Sequence, residues 1–396
     1  MIQDAYLGIG SLKNLSALTA RFGARRVFLV TGRESFQVSD SNALIGQQLK
    51  DLSVLRYSGF SSNPKFEDVQ RGVGLFLSDA FDMVIAVGGG SVIDMAKAIN
   101  IVAAQVGVST TDIVRFNRIT KKGLPLVAIP TTAGSGSEAT HFAVVYFNNA
   151  KYSVAHEYIL PDAVIVDPRL SISMPQHVRA ASALDAFCQA IESMWSVNST
   201  DESIEYSRKA LSSIYRNFRT ALNGSVAGAV AMAEAAFFAG KAINIAKTTA
   251  AHALSYPMTA HFGVPHGHAV ALTIPELLVF NYQLTESDCH DRRGVSHVRY
   301  RIEEICALLG CSTLEKAKMT VLEMIASASL ATDLSMLGIS CPEHIRLVVE
   351  NVNIERLDNN PRRLSLSQLE AIVEACTKEP KHRSQSQSYQ LLSGVG

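Results

Sequence analysis

Residues 82–90, DMVIAVGGG, constrain the fold more than any other stretch of the chain. An apolar, β-branched run stops on three glycines, and the SVIDMAKAINIVAA that follows has helical apolar spacing. A strand that turns into a helix through glycine presents backbone N–H groups at a helix N-terminus. Gly88, Gly89, Gly90 and Ser91 there suit a phosphate, since no Cβ keeps it from the backbone. Asp94 lies on the next turn. The strand signal recurs at 25–31 (RRVFLVT) and 124–130 (LPLVAIP), between amphipathic stretches, which is the βαβ pattern of a Rossmann-like parallel sheet.

A second loop, PTTAGSGSE at 130–138, also follows an expected strand and is rich in glycine and hydroxyls, with Thr131, Thr132 and Ser135 available to a ligand. Either loop alone would serve equally as a tight βα turn; the two together favour a dinucleotide site. At the end of the 25–31 strand, where an acidic residue would hydrogen-bond the ribose of NAD(H), the chain has Gly32 and Arg33. That leaves room for a 2′-phosphate and points toward NADP(H), with a solvated Arg33 as the alternative. Short strands are expected at 142–147 and 163–167, the first joined to KYSVA by a turn through Asn148 and Asn149.

Beyond residue 172 the texture changes to long Ala-, Leu- and Met-rich segments at helical spacing, at 180–196, 201–221, 226–254, 267–282, 298–309 and 314–330. The expected organisation is therefore an α/β dinucleotide-binding domain over 1–172 and an all-α domain over 173–396, divided near SISMPQ. Basic and acidic residues balance at 36 each, which gives no field for nucleic acid. No basic and apolar leader opens the chain and no apolar stretch approaches the roughly 20 residues that span a bilayer, so a cytoplasmic protein without membrane attachment is expected. Six cysteines are scattered without a C-x-x-C pair and read as reduced thiols. The polar tail from Lys378 is expected to be mobile.

Asp185 and Gln189 are four apart on an expected helix whose neighbours are apolar, so both need a polar partner. His252, His261, His266 and His268 form the densest histidine region, around Gly263, Pro265 and Gly267. A carboxylate, an amide and two imidazoles suit a divalent ion such as Fe²⁺ or Zn²⁺, with a position left for a substrate oxygen; histidines capping helix ends are the other reading.

Four ordered motifs, GGGSVIDMAKA (88–98), PTTAGSGSE (130–138), LDAFCQAIE (184–192) and HALSYP with VPHGHAVAL (252–272), resemble the iron-containing (group III) alcohol dehydrogenase family over essentially the whole chain. The resemblance implies a dinucleotide-binding α/β domain, a helical domain and a metal in the cleft between them. It implies that Gly88, Gly89, Gly90 and Ser91 hold the pyrophosphate, that Thr131, Thr132 and Ser135 line the cofactor, and that Asp185, Gln189, His252 and His266 are the metal ligands. Where the family has histidine this chain has Gln189 and Tyr256. An amide is a weaker, neutral ligand, so the metal is left open, and the proton relay falls to Tyr256, His268 or water.

The runs WSVNSTDES (195–203) and KTTAAHALSYPMTAHFGVPHGHA (247–269) look like the branch that reduces phosphonoacetaldehyde in phosphonate natural-product pathways. A phosphonate calls for cations, and Lys151, Lys247, His261, His268 and Arg362 are candidates. The expected chemistry is hydride transfer from NAD(P)H to a small aldehyde, in a homodimer. The competing readings are a polyol-processing or non-redox relative, and a nucleotide-binding protein that has lost catalysis.

Overall fold

The structure is a computed structural model and describes residues 2–38, 41–61, 63–148 and 150–377; Asn149 and the tail from Lys378 lie outside the described residues. The chain forms two compact units, one of Met1–Pro175 with Ala229–Gly240, the other of Gln176–Gly228 with Lys241–Gly396.

Among the described residues the first unit has eight strands: β1 (Asp4–Leu7), β2 (Arg26–Thr31), β3 (Ser53–Tyr57), β4 (Met83–Gly88), β5 (Leu126–Pro130), β6 (Phe142–Phe147), β7 (Ala150–Ala155) and β8 (Ala163–Val166). Six of them make a parallel sheet in the order β1-β8-β5-β4-β2-β3, and β6 and β7 pair antiparallel as the expected hairpin. All six residues of β4 are buried, because helices cover both faces of a parallel sheet. Val84 and Ala86 pack with Ile93 and Met95 on one face, whereas Met83, Ile85 and Val87 pack with Leu15 and Leu18 on the other. This is the period-two alternation of a strand.

The path from β2 to β3 runs toward one edge and the path from β4 to β5 toward the other, so the order reverses between β2 and β4. Ligands of such sheets bind outside the carboxyl ends of the strands at the reversal. Register places Thr31 beside Val87 and Gly88 beside Pro130, which brings three strand ends, and the loops that leave them, into one row.

The expected helix over 226–254 is broken. One helix covers Val226–Ala246 and another Ala250–Phe262, with Lys247 between them at φ 63°, ψ 171°. The first is apolar and long enough to cross a membrane, yet 56% of its apolar window is buried inside the protein. Its Ala233 and Phe237 pack on Ala139, Val164 and Val166 of the first unit. Gly240 meets Gly136 there, backbone against backbone, and Gly136 has a φ of 63°.

The second unit is helical. Its principal helices cover Gln176–Trp195, Asp201–Leu222, Ala250–Phe262, His266–Tyr282, Val295–Leu308 and Leu314–Ser327, followed by Pro342–Glu350 and Leu366–Ala375. A capping box of Thr200 and Ser203 starts the second of these.

Gly136→Ala is expected to destabilise the protein by about 2–4 kcal/mol, from left-handed strain and the clash with Gly240. Urea denaturation measures it; an unchanged midpoint would mean that the Gly136 and Gly240 backbones do not need this approach.

Candidate active site

Two groups of polar residues stand out, one in each unit. In the first unit, the helix Gly90–Ala104 begins at the end of β4, with Gly89 as its N-cap. A Cβ on Gly89 would approach Thr132 at 3.3 Å, and one on Gly90 would press on Ser135 Oγ at 2.6 Å. The two glycine-rich loops expected from the sequence therefore lie against each other, with Thr132 and Ser135 facing the start of the helix.

Helix residues Asp94 and Lys97 hold the second loop. Asp94 accepts from the Ser137 hydroxyl and, at 3.1 Å, from the Val144 amide. Lys97 is buried and donates to the carbonyls of Ser137 (2.5 Å), Thr140 (2.8 Å) and Phe142 (2.9 Å). Burial lowers the Lys97 pKa to about 8 against the pull of Asp94 and Glu138, and burial raises that of Glu138 to about 7. Lys97 was legible only as a helix residue. Near the end of β2, Gly32 is half-buried and Arg33 exposed. A residue the sequence did not single out, Arg56, bonds the Gly32 carbonyl at 2.8 Å and the Arg33 carbonyl at 3.1 Å, fixing that turn.

In the second unit, helix Gln176–Trp195 presents Asp185, Gln189 and Glu192 on one face, at spacings of four and three. Asp185, His252 and His266 each offer a ligand atom within 4.8 Å of the others. His252 Nε2 lies 3.3 Å and His266 Nε2 3.9 Å from Asp185 Oδ1. Two ligands about 2.0–2.1 Å from a tetrahedral ion stand about 3.3 Å apart, so this spacing suits a divalent metal. Gln189 donates to Asp185, and its Oε1 is a buried oxygen that accepts no hydrogen bond among the described residues, as an ion's ligand would be before binding.

The orientation of the two histidines is built in. Glu192 is fully buried and accepts His252 Nδ1 on Oε2; its Oε1 takes the Thr249 hydroxyl (2.7 Å), the Thr249 amide (3.1 Å) and the Ala251 amide (2.9 Å). His252 Nε2 is thereby turned to Asp185. Ser255, itself buried, lies 3.2 Å from His266 Nδ1 and leaves Nε2 for the same carboxylate. Gly267 lets the helix His266–Tyr282 start against its neighbour, since a Cβ there would lie 2.8 Å from the Asp185 amide. Glu192 and Ser255 escaped the sequence reading, although each falls within a quoted motif, and Gly267 was read only as part of a turn.

Charge also fits a cation. Burial disfavours a protonated His252, but the Glu192 and Asp185 carboxylates outweigh it and carry its pKa up to about 10; burial would raise both carboxyl groups, yet the histidines hold them low. Two buried carboxylates in one site favour a positive charge between them. The residues present therefore fit a divalent metal.

Tyr256 stacks on His266 with ring centroids 5.6 Å apart and planes within 5°. His268, two positions along the same helix as His266, points elsewhere and bonds the Ala331 carbonyl at 2.7 Å. Among the phosphonate candidates, Arg362 is committed to Asp288 (2.8 Å) and the Phe280 carbonyl (2.7 Å), His261 is exposed, and Lys151 and Lys247 are half-buried.

Glu192→Gln removes the charge that orients His252 and is expected to weaken Co²⁺ or Zn²⁺ binding about 10- to 100-fold. Titration followed by the visible absorption of Co²⁺ reads this, with circular dichroism confirming intact helices; wild-type affinity would remove Glu192 from the role.

Comparison with known proteins agrees with this chemistry. Residues 3–168 match the family description "Iron-containing alcohol dehydrogenase" and residues 179–377 match "Fe-containing alcohol dehydrogenase family, C-terminal". The chain is 34% identical over 301 residues, 73% of its own length and 74% of the relative's, to the phosphonoacetaldehyde reductase of Streptomyces viridochromogenes. It is also 34% identical over 284 residues, 69% of this chain and 71% of the relative, to long-chain-alcohol dehydrogenase 1 of Geobacillus thermodenitrificans. The sulfoacetaldehyde reductase of Bifidobacterium kashiwanohense, solved in complex with NAD⁺, superposes with a TM-score of 0.84 at 25% identity, over 94% of this chain and 96% of that one. Two matched halves, a fold shared along nearly the full length and a cluster suited to a divalent ion make this chain an oxidoreductase of the iron-containing alcohol dehydrogenase family.

Proposed function

We propose that the chain reduces a two-carbon aldehyde that carries a tetrahedral oxyanion, with phosphonoacetaldehyde as the substrate and 2-hydroxyethylphosphonate as the product. One observation carries this reading: the similar reductases act, by name, on phosphonoacetaldehyde and on sulfoacetaldehyde, which share an XO₃ group one carbon from the carbonyl. The cofactor is NADPH in preference to NADH, since Arg33 takes the place of an acidic residue at the end of β2. We further propose a cytoplasmic homodimer, with the first-unit loops serving the cofactor and the second-unit cluster serving the metal.

A bound divalent ion would supply Lewis acidity toward the carbonyl oxygen, and the reduced nicotinamide the hydride. The protein's own part is to hold these groups. Asp185, Gln189, His252 and His266 would bind the ion, with Glu192 and Ser255 fixing the two imidazoles. Gly88, Gly89, Gly90 and Ser91 would take the pyrophosphate at the start of their helix, while Thr131, Thr132 and Ser135 line the opposite loop, held by Asp94 and Lys97. Tyr256, stacked on the ligand His266, is the residue we assign to proton delivery, and His268 supports the fold through Ala331.

Steady-state assays with phosphonoacetaldehyde, propionaldehyde and a long-chain aldehyde test the substrate. The expected kcat/KM for the anionic aldehyde exceeds the neutral ones by on the order of 100-fold or more, as for a site that pairs a substrate's polar group. Equal values would favour a dehydrogenase of uncharged alcohols. Arg33→Ala is expected to lower the NADPH over NADH preference about 10- to 100-fold, the worth of a charged hydrogen bond; a wild-type preference for NADH would sink the cofactor assignment.

A further inference from the structure

We propose that Lys247 grips the oxyanion of the substrate and sets the preference for charged aldehydes, a reading that rests on the proposed function and deepens it. The observation is a backbone that suits another residue. Lys247 has φ 63° and ψ 171°, which lies outside the left-handed helical well in a basin that is essentially reserved for glycine. Among the described residues only Asn117, Asn148 and Ser329 share a positive φ without being glycine, and Asn117, at ψ 40°, sits in the ordinary left-handed well that asparagine tolerates.

The conformation is forced from both sides. The Lys247 amide bonds the Ile243 carbonyl at 3.0 Å, the Ala246 carbonyl accepts from Ser196 Oγ at 2.5 Å, and the Thr248 carbonyl accepts from Asn359 Nδ2 at 2.9 Å. Thr249 then hangs on Glu192, the carboxylate that orients His252. The strained residue is thus fixed to the support of the metal ligand, five positions before His252. From Ala246 to Ser255 it is the one residue that is not buried. Glycine would fit this backbone at no cost, so a lysine there is kept for its side chain. An ammonium carried on this fixed backbone, five positions before His252, matches the charge of a phosphonate or a sulfonate.

The test compares Lys247→Gly and Lys247→Arg with the wild type on phosphonoacetaldehyde, sulfoacetaldehyde and propionaldehyde, alongside thermal unfolding. Lys247→Gly is expected to raise the unfolding midpoint, because strain is relieved. It should also lower the ratio of kcat/KM for the anionic over the neutral aldehyde about 100-fold, mostly through KM. Lys247→Arg keeps a cation and should recover much of that ratio. A glycine variant that keeps the wild-type ratio, or unfolds at a lower temperature, overturns the inference. A wild type that shows no preference for either anionic aldehyde refutes the substrate assignment itself, whatever Lys247 does.

Discussion

The second unit depends on one buried carboxylate. Glu192 sits at the start of the helix Ala250–Phe262, where unpaired amides and the positive end of the helix dipole meet, and it accepts from Thr249, Ala251 and His252. A charge with no exposure survives in the core only when it is surrounded by donors. Here the donors are the cap of one helix, the hydroxyl of Thr249 and the ring of His252, the proposed metal ligand. Trp195 adds to the set by donating to Thr249 Oγ1 at 2.9 Å. The start of the helix and the orientation of the His252 ring are in this way tied to a single group.

The first unit uses the opposite charge for a similar purpose. Lys97 ends on three carbonyls of the bend after the second glycine loop. Such a bend has no repeating ladder to satisfy its backbone, and a single ammonium replaces it. The glycine loops then owe their shape to the helix that the first of them begins. Close approach without Cβ atoms and a cation below are two halves of one solution.

Much of the plan was legible because strands buried on both faces read as unbroken apolar runs. The strands expected at 25–31, 82–90, 124–130, 142–147 and 163–167 all form within a few residues. β3 was not legible, since an edge strand with the sequence SVLRY and two exposed residues at its start carries no apolar run. β1, four residues long at the other edge, gave no signal either. The cluster of Asp185, His252 and His266 could be read because residues suited to bind a metal are few in kind. Their supports could not, because nothing in the composition of a helix distinguishes a Glu192 turned inward from one in water. The break at Lys247 was also invisible, as a lysine in helical sequence signals continuation and its positive φ is imposed by tertiary contacts.

The packing of Ala233 and Phe237 on Ala139, Val164 and Val166 bears on how such a chain can change over time. The first unit is completed by residues 229–240, more than fifty positions after its main segment ends at Pro175. A cut at 175 would give a fragment with an open apolar face and a remainder carrying the missing helix. The two halves are consequently not interchangeable parts in the manner of domains joined by a linker. A gene fusion or shuffling event that replaced one would also have to supply twelve residues to the other, so the halves are expected to have been inherited as one piece.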